Sequence, residues 1–88
     1  MKLIKSSQAG SLESNDVLVL VKPENDNTGI KLEIDSIVIN QFGDRIKEIV
    51  EQKLAAMKIE NAYIKIKDKG ALDCTIEARI EAAIKRAQ

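Results

Sequence analysis

The stretch Val17-Leu18-Val19-Leu20-Val21 decides the fold that we predict for this chain of 88 residues, because it is a continuous run of β-branched and aliphatic residues. Such a run is typical of a well-buried strand at the centre of a sheet. The segment before it, Gly10-Ser11-Leu12-Glu13-Ser14-Asn15-Asp16, consists mainly of small and polar residues that favour a turn. The sequence therefore predicts a hairpin with the hydroxyl of Ser14 at its tip.

A second strand is predicted further along, where Ile30, Leu32 and Ile34 alternate with charged residues. The segment between the two strands, residues 23–29, is dense in turn-forming residues. Its Pro23 cannot donate to a strand ladder, and its Gly29 is free to take a positive φ. We expect this segment to be a loop that joins two antiparallel strands.

The apolar spacing lengthens after Ser36 and predicts an amphipathic helix. One side of this helix carries a stripe of apolar residues, namely Val38, Phe42, Ile46, Ile49, Val50, Leu54 and Met57. Ser36 is the predicted N-cap, because its oxygen can accept a hydrogen bond from an unpaired amide of the first turn.

Period two returns at Ala62, Ile64 and Ile66, which predicts a further strand, and Asp68-Lys69-Gly70 is a turn signal at its end. A second helix follows, with an apolar face formed by Leu72, Ile76, Ile80, Ala83, Ile84 and Ala87. The predicted order is thus β-β-β-α-β-α. We predict an α+β fold, a single domain over residues 1–88, with a small antiparallel sheet and both helices packed on one face.

The composition argues against most enzyme classes. The chain has no histidine and one cysteine, so the usual proton-exchanging residue and a repeated-thiolate metal site are both missing. The carboxylates are scattered along solvated helix faces, without a spacing that pairs two of them. We therefore predict no catalytic residue and no metal-binding residue.

The charge balance and the hydropathy exclude further partners. Fourteen basic and fourteen acidic residues cancel, and only Phe42 and Tyr63 are aromatic, so nucleic-acid binding is not expected. No segment is apolar and long enough for a signal peptide or a membrane span. We expect a cytoplasmic protein that does not bind a membrane, with Cys74 reduced and more typical of a small buried apolar residue than of a reactive thiol.

Three blocks of sequence carry a resemblance to a known family. They are Ala9-Gly10-Ser11-Leu12-Glu13-Ser14-Asn15-Asp16-Val17, Gln41-Phe42-Gly43-Asp44 and Asp68-Lys69-Gly70-Ala71-Leu72-Asp73-Cys74. In their content, their order and the length of the chain, they resemble the acyl carrier protein of citrate lyase, also called its gamma chain. The match spans essentially the whole chain.

The resemblance implies that Ser14 is the attachment site of a covalent cofactor, 2'-(5''-phosphoribosyl)-3'-dephospho-CoA. The arm would be joined as a phosphodiester when the serine hydroxyl displaces pyrophosphate from a triphosphoribosyl precursor, in a reaction performed by a dedicated prosthetic-group transferase. Its thiol would carry acetyl and citryl groups as thioesters between the transferase (alpha) and lyase (beta) subunits while citrate is cleaved to oxaloacetate and acetate. The carrier itself would be non-catalytic.

Several alternatives stay open at the level of sequence. Ser14 taken by itself is also typical of an ordinary turn serine, and Asp68-Lys69-Gly70, which could touch the phosphates of the arm, is fully explained as a tight turn. Asp35-Ser36-Ile37 resembles the attachment triplet of phosphopantetheine carrier proteins, which would make Ser36 the modified residue. The chain could also be the carrier subunit of malonate decarboxylase, or an unmodified α+β module that binds a partner through a sheet edge.

Overall fold

The computed structural model describes residues 3–24, 29–37 and 39–88, and the side chains of all of these except 39–43. The elements follow the predicted order. They are β1 (Ser7–Gly10), β2 (Val17–Lys22), β3 (Ile30–Ser36), α1 (Ile39–Ala56), β4 (Ala62–Asp68) and α2 (Asp73–Arg86). The α+β class and the β-β-β-α-β-α order are therefore confirmed.

The four strands form one sheet in the order β1-β2-β4-β3, so β2 lies in the interior of the sheet, as predicted. It pairs antiparallel with β1 on one side, where Ala9 is opposite Val19, and antiparallel with β4 on the other side, where Ile66 is opposite Val19. The hairpin predicted from the turn-forming segment after Gly10 is the β1–β2 pair.

One pair departs from the antiparallel sheet that we expected, because β3 runs parallel to β4, with Leu32 opposite Ile64. The cause is α1, which carries the chain from the end of β3 back to the start of β4, the crossover that parallel pairing requires. The loop after β2 does connect strands of opposite direction, but β4 lies between them. Four of its residues, 25–28, lie outside the described part of the chain.

Both helices pack on one face of the sheet, as predicted: α1 packs against β3, and α2 against β1 and β2. The core lies between the two layers and includes Val17, Val19, Val21, Ala62, Ile64, Ile66, Ile46, Val50, Leu54, Ile76, Ile80 and Ile84. Leu18 and Leu20 point to the other face and are half-buried. The continuous apolar run of β2 is therefore fully buried on one face only.

One residue assigned to the start of a helix was misplaced, and one prediction is not tested. Ser36 is the last residue of β3, and its hydroxyl donates to the buried carboxylate of Asp68 at 2.7 Å. This donation does not prevent the oxygen from accepting a second hydrogen bond, so the N-cap role of Ser36 stays a prediction. Leu72 is 71% exposed and sits just before the first residue of α2, outside the buried stripe. Val38 and the side chain of Phe42, both assigned to the stripe of α1, lie outside the described residues.

Candidate functional site

Ser14 lies in the turn that joins β1 to β2, and its side chain is exposed, as is that of Glu13. The turn closes with a hydrogen bond from the amide of Asp16 to the carbonyl of Glu13 at 3.1 Å. Asn15 adopts φ +65°, a left-handed conformation that asparagine tolerates better than most residues. Within the described part of the chain, the Ser14 hydroxyl has no hydrogen-bond partner, so it is free to react with a group from outside.

Asp16 anchors the turn. Its carboxylate accepts hydrogen bonds from the Ser11 hydroxyl at 2.7 Å and from the backbone amide of Val17 at 2.7 Å. Arg79 of α2 adds a bidentate contact, from Nη2 at 3.0 Å and from Nε at 3.2 Å. These donors lower the pKa of Asp16 to about 2, and the Ser11 hydroxyl contributes most to the lowering. The carboxylate is therefore a fixed negative charge that ties the turn to α2.

The turn is also tied to the connection between β4 and α2. The amide of Asn15 donates to the carbonyl of Lys69 at 2.8 Å, and the amide of Lys69 donates to the carbonyl of Asp16 at 2.9 Å. Gly70 follows with φ +89°, and a Cβ at this position would lie 3.5 Å from Oδ1 of Asn15. The first and third blocks of the sequence resemblance, which are more than 50 residues apart, are thus in direct contact.

The rival attachment residue is not accessible. Ser36 is 9% exposed, and its hydroxyl donates to Oδ2 of Asp68, a carboxylate that is 2% exposed and also accepts the amide of Ala71 at 2.9 Å. A transferase could not reach this oxygen without breaking the end of β3. The carboxylate of Asp68 is also fully engaged in shaping the predicted turn after β4, which supports the structural interpretation of Asp68-Lys69-Gly70.

Exposed apolar side chains occur in the three connections at this end of the sheet. Leu12 in the β1–β2 turn is 53% exposed, Ile37 after β3 is 66% exposed, and Leu72 before α2 is the most exposed of the three. The Ile37 Cδ1 atom lies 3.7 Å from the position that a Cβ of Gly70 would take. Ser14 therefore belongs to a rim that presents apolar groups to the surroundings.

A groove of about 700 Å³ opens beside the rim, between α1 and the start of α2. Among the described residues, its lining is formed by Arg45, Ile46, Gly70, Ala71, Leu72, Asp73, Cys74 and Ile76. Its two charged members pair with each other, Nη2 of Arg45 lying 2.8 Å from Oδ2 of Asp73. Through Gly70, the groove adjoins the turn of Ser14.

Cys74 corrects a further expectation, because it is exposed in the first turn of α2 and not buried. Its position off the apolar stripe of α2 was the signal for this exposure. The thiol lies in the lining of the groove, where it can report on whatever occupies that space.

Two classes of site are not found in residues 3–24, 29–37 and 39–88. No three histidine, cysteine, aspartate or glutamate side chains come together there as metal ligands could. No helix in the same residues is long and apolar enough to cross a membrane.

Sequence reasoning placed Ser14 on the turn between two strands, but it missed Arg79 and the groove. Arg79 lies 63 residues from Asp16, and no local pattern connects the two side chains. The groove depends on how α1 and α2 are set against each other, which no residue spacing in one helix reveals.

Comparisons with known proteins agree with the geometry. A protein-family model described as malonate decarboxylase delta subunit matches residues 4–87. Curated relatives include the citrate lyase acyl carrier protein of Vibrio cholerae serotype O1, 48% identical over 99% of this chain and 88% of that protein. The citrate lyase acyl carrier protein of Streptococcus equi subsp. equi is 48% identical over 99% of this chain and 84% of its own length.

A third relative, citrate lyase acyl carrier protein 2 of Salmonella typhimurium, is 45% identical over 99% of this chain and 89% of its own. Among solved structures, a chain of a Pseudomonas malonate decarboxylase hetero-tetramer in complex with malonate superimposes with a TM-score of 0.75 at 18% identity. That likeness covers 100% of this chain and 93% of the other, and it supports the mixed four-stranded fold.

Proposed function

The chain belongs to the family of citrate lyase acyl carrier proteins, and from this premise we propose that Ser14 carries a covalent phosphoribosyl-dephospho-CoA arm. The single observation that supports this best is the exposed Ser14 hydroxyl, which has no partner in the described residues and stands on a turn fixed from both sides. Attachment sites must enter a second active site, and a protruding turn on a rigid scaffold permits that.

The residues present fit such a group. When bound, the arm would supply a thiol for carrying acetyl and citryl groups as thioesters between the proposed transferase and lyase subunits. This chain would present the oxygen that becomes the phosphodiester, while pyrophosphate leaves from the triphosphoribosyl precursor. The serine proton needs an acceptor, and the nearby Asp16 carboxylate, with its pKa of about 2, is a poor base at neutral pH. The base would therefore come from the prosthetic-group transferase.

The carrier's contribution to turnover is tethering, without a catalytic group of its own. A flexible tether presents its cargo to neighbouring active sites at an effective concentration on the order of millimolar. The chain has only to remain folded, expose Ser14 and dock. We propose the alpha and beta subunits of citrate lyase as its docking partners, by similarity to the named relatives.

The test is the mass of the protein made together with its modifying enzymes. The wild-type chain is expected to gain a cofactor-sized mass on the peptide that contains Ser14, and Ser14→Ala is expected to gain none. Ser6→Ala, exposed before β1, is the matched control that should still be modified. Modification of Ser14→Ala, or modification mapped to Ser36, would overturn the proposal.

A second candidate is the carrier subunit of malonate decarboxylase, favoured by the description of the matching family and by the solved structure with the same fold. The identities of 45% to 48% with citrate lyase carriers favour citrate. Reconstitution of the modified chain with each set of partner subunits separates the two: turnover of citrate is expected, and turnover of malonate alone would reassign the carrier.

A further inference from the structure

The groove beside Ser14 has a lining suited to an uncharged ligand. Its two charged residues cancel, because Nη2 and Nε of Arg45 both donate to Oδ2 of Asp73, at 2.8 Å and 3.1 Å. The remaining described lining residues are apolar or small, with Leu72 and Ala71 at the connection between β4 and α2. A volume of about 700 Å³ falls within the range of small-molecule sites.

The groove also lies where the cofactor would start. Gly70 is part of the lining, and Lys69 precedes it in the chain. The Lys69 carbonyl accepts a hydrogen bond from the amide of Asn15 at 2.8 Å, and the Lys69 amide donates to the carbonyl of Asp16 at 2.9 Å. Asn15 and Asp16 are the two residues that follow Ser14. A group attached to Ser14 can therefore enter the groove by lying across this short contact. The phosphodiester would remain at the exposed turn, and the arm would fold back beyond its diphosphate so that its uncharged far end reaches the apolar lining.

We propose that this groove binds the uncharged pantetheine end of the arm that Ser14 carries, an inference that rests on the proposed function. Burial of Leu72 is part of the driving force. This side chain is 71% exposed, and contact with the methylene and methyl groups of pantetheine would remove apolar surface from water on both sides.

Because the arm is tethered to Ser14, even a low affinity for the groove gives a high occupancy of the groove. At an effective concentration on the order of 1 mM, an intrinsic dissociation constant of about 0.25 mM keeps the groove occupied about four-fifths of the time. That affinity is low enough for a partner subunit to withdraw the arm without a large loss of free energy. The pantetheine end of the arm then occupies the groove whenever it is not bound in one of the two active sites.

Cys74 provides a direct readout, because its exposed thiol lies in the lining. We would measure the rate of alkylation of Cys74 by N-ethylmaleimide in the unmodified and the modified protein. Trypsin releases Cys74 in the peptide of residues 70–79, which is separate from the peptide that contains Ser14 and the arm. Occupancy of about four-fifths predicts a rate about fivefold lower in the modified protein, in proportion to the unoccupied fraction.

A matched pair of variants tests the position of the ligand. Leu72→Glu places a charge in the lining and is expected to bring the ratio of unmodified to modified rates close to one. Ile4→Glu is the control, because Ile4 is 67% exposed, similar to Leu72, and is not part of the lining. Comparing the two rates within one variant cancels any direct effect of the new carboxylate on the thiol.

The outcomes separate the two proposals. If intact mass shows the arm on Ser14 and Cys74 reacts at the same rate with and without it, the groove is not its site and the carrier function stands. Protection that persists in Leu72→Glu also overturns the groove assignment. If no arm is attached at all, the proposed function fails, and the groove proposal fails with it.

Discussion

At the residue scale, Ser14 is distinguished by its exposed position in the turn, and not by a neighbouring base that would make its hydroxyl more nucleophilic. Its hydroxyl is exposed, and Asp16, two residues away, is committed to Ser11, Val17 and Arg79. A carboxylate that accepts this many hydrogen bonds holds its proton weakly and cannot take one from serine at neutral pH. In the proposed function, the turn therefore presents Ser14 to the modifying enzyme, and the reactivity comes from that enzyme.

The Asp16 cluster leads to a prediction about pH. The pKa of Asp16 is lowered to about 2 in the folded chain, whereas an aspartate in an unfolded chain titrates near pH 4. Because the folded pKa is the lower one, the stabilisation from Asp16 is present above about pH 4 and is lost as the pH falls towards 2. Carbon-13 NMR titration of the Asp16 carboxyl group is expected to give a midpoint of about 2.

Two variants identify the cause of the low midpoint. Ser11→Ala removes the first-ranked donor, and Arg79→Gln removes both a hydrogen-bonding guanidinium and its positive charge, so each variant is expected to raise the midpoint. Glu13→Gln lies in the same turn, is exposed, and has no side-chain contact with Asp16 among the described contacts, so it should leave the midpoint unchanged. A midpoint near 4 in the wild-type protein would contradict the arrangement.

At the element scale, the β1–β2 hairpin depends on the residue at which β1 ends. Gly10 has φ +96°, and a Cβ there would lie 1.8 Å from the carbonyl oxygen of Val17, on the neighbouring strand. The amide of Ser11 donates to this same carbonyl at 3.2 Å, so the strand cannot move away without breaking the entry to the turn. Glycine is thus required here both for its left-handed backbone and for the close approach.

We predict that Gly10→Ala lowers the free energy of unfolding by about 2–4 kcal/mol, because it combines an unfavourable φ with a clash against a backbone atom. Gly29→Ala is the matched control, since Gly29 has φ +88° and no described atom within 4 Å of the added Cβ. That variant should lose only about 1 kcal/mol, the cost of the backbone conformation alone. Urea unfolding followed by far-ultraviolet circular dichroism measures both, and equal losses would contradict the clash.

The elements also show which local signals in the sequence are sufficient. Alternation at Ala62, Ile64 and Ile66 predicts β4 because one face of that strand is buried beneath the helices. Leu72 was misassigned to the buried stripe because apolar spacing is a local signal, whereas this residue lies in the lining of the groove at the rim. The Ser36 hydroxyl donates to Asp68, 32 residues away, a contact that no local pattern indicates.

At the scale of the whole molecule, the class and the element order could be predicted, but the sheet order could not. Residue spacing tells whether a segment is a strand, and it does not tell that β4 inserts between β2 and β3. The same limit applies to the site. Ser14 could be placed on a turn from its neighbours, while its support by Lys69 and Arg79 arises only when the ends of the chain fold together.

Because the charge of the chain is balanced, the proposed modification should change the net charge of the molecule measurably. Fourteen basic and fourteen acidic residues give a formal net charge of zero, and the sequence has an isoelectric point of about 6.3. The phosphodiester at Ser14 and the diphosphate of the arm add negative charges and no group that is cationic at neutral pH. We predict that the modified chain focuses below pH 6.3 and moves faster towards the anode in a native gel.

Ser14→Ala made with the same modifying enzymes is expected to focus with the unmodified chain, because it lacks the oxygen that would carry the added charge. Acetylation of the arm's thiol should leave the shifted position unchanged, since an acetyl thioester is neutral. A protein without histidine gains few charges between pH 6 and 7, so small additions of negative charge displace its isoelectric point clearly. A wild-type chain that focuses together with Ser14→Ala would show that Ser14 carries no phosphate-bearing arm.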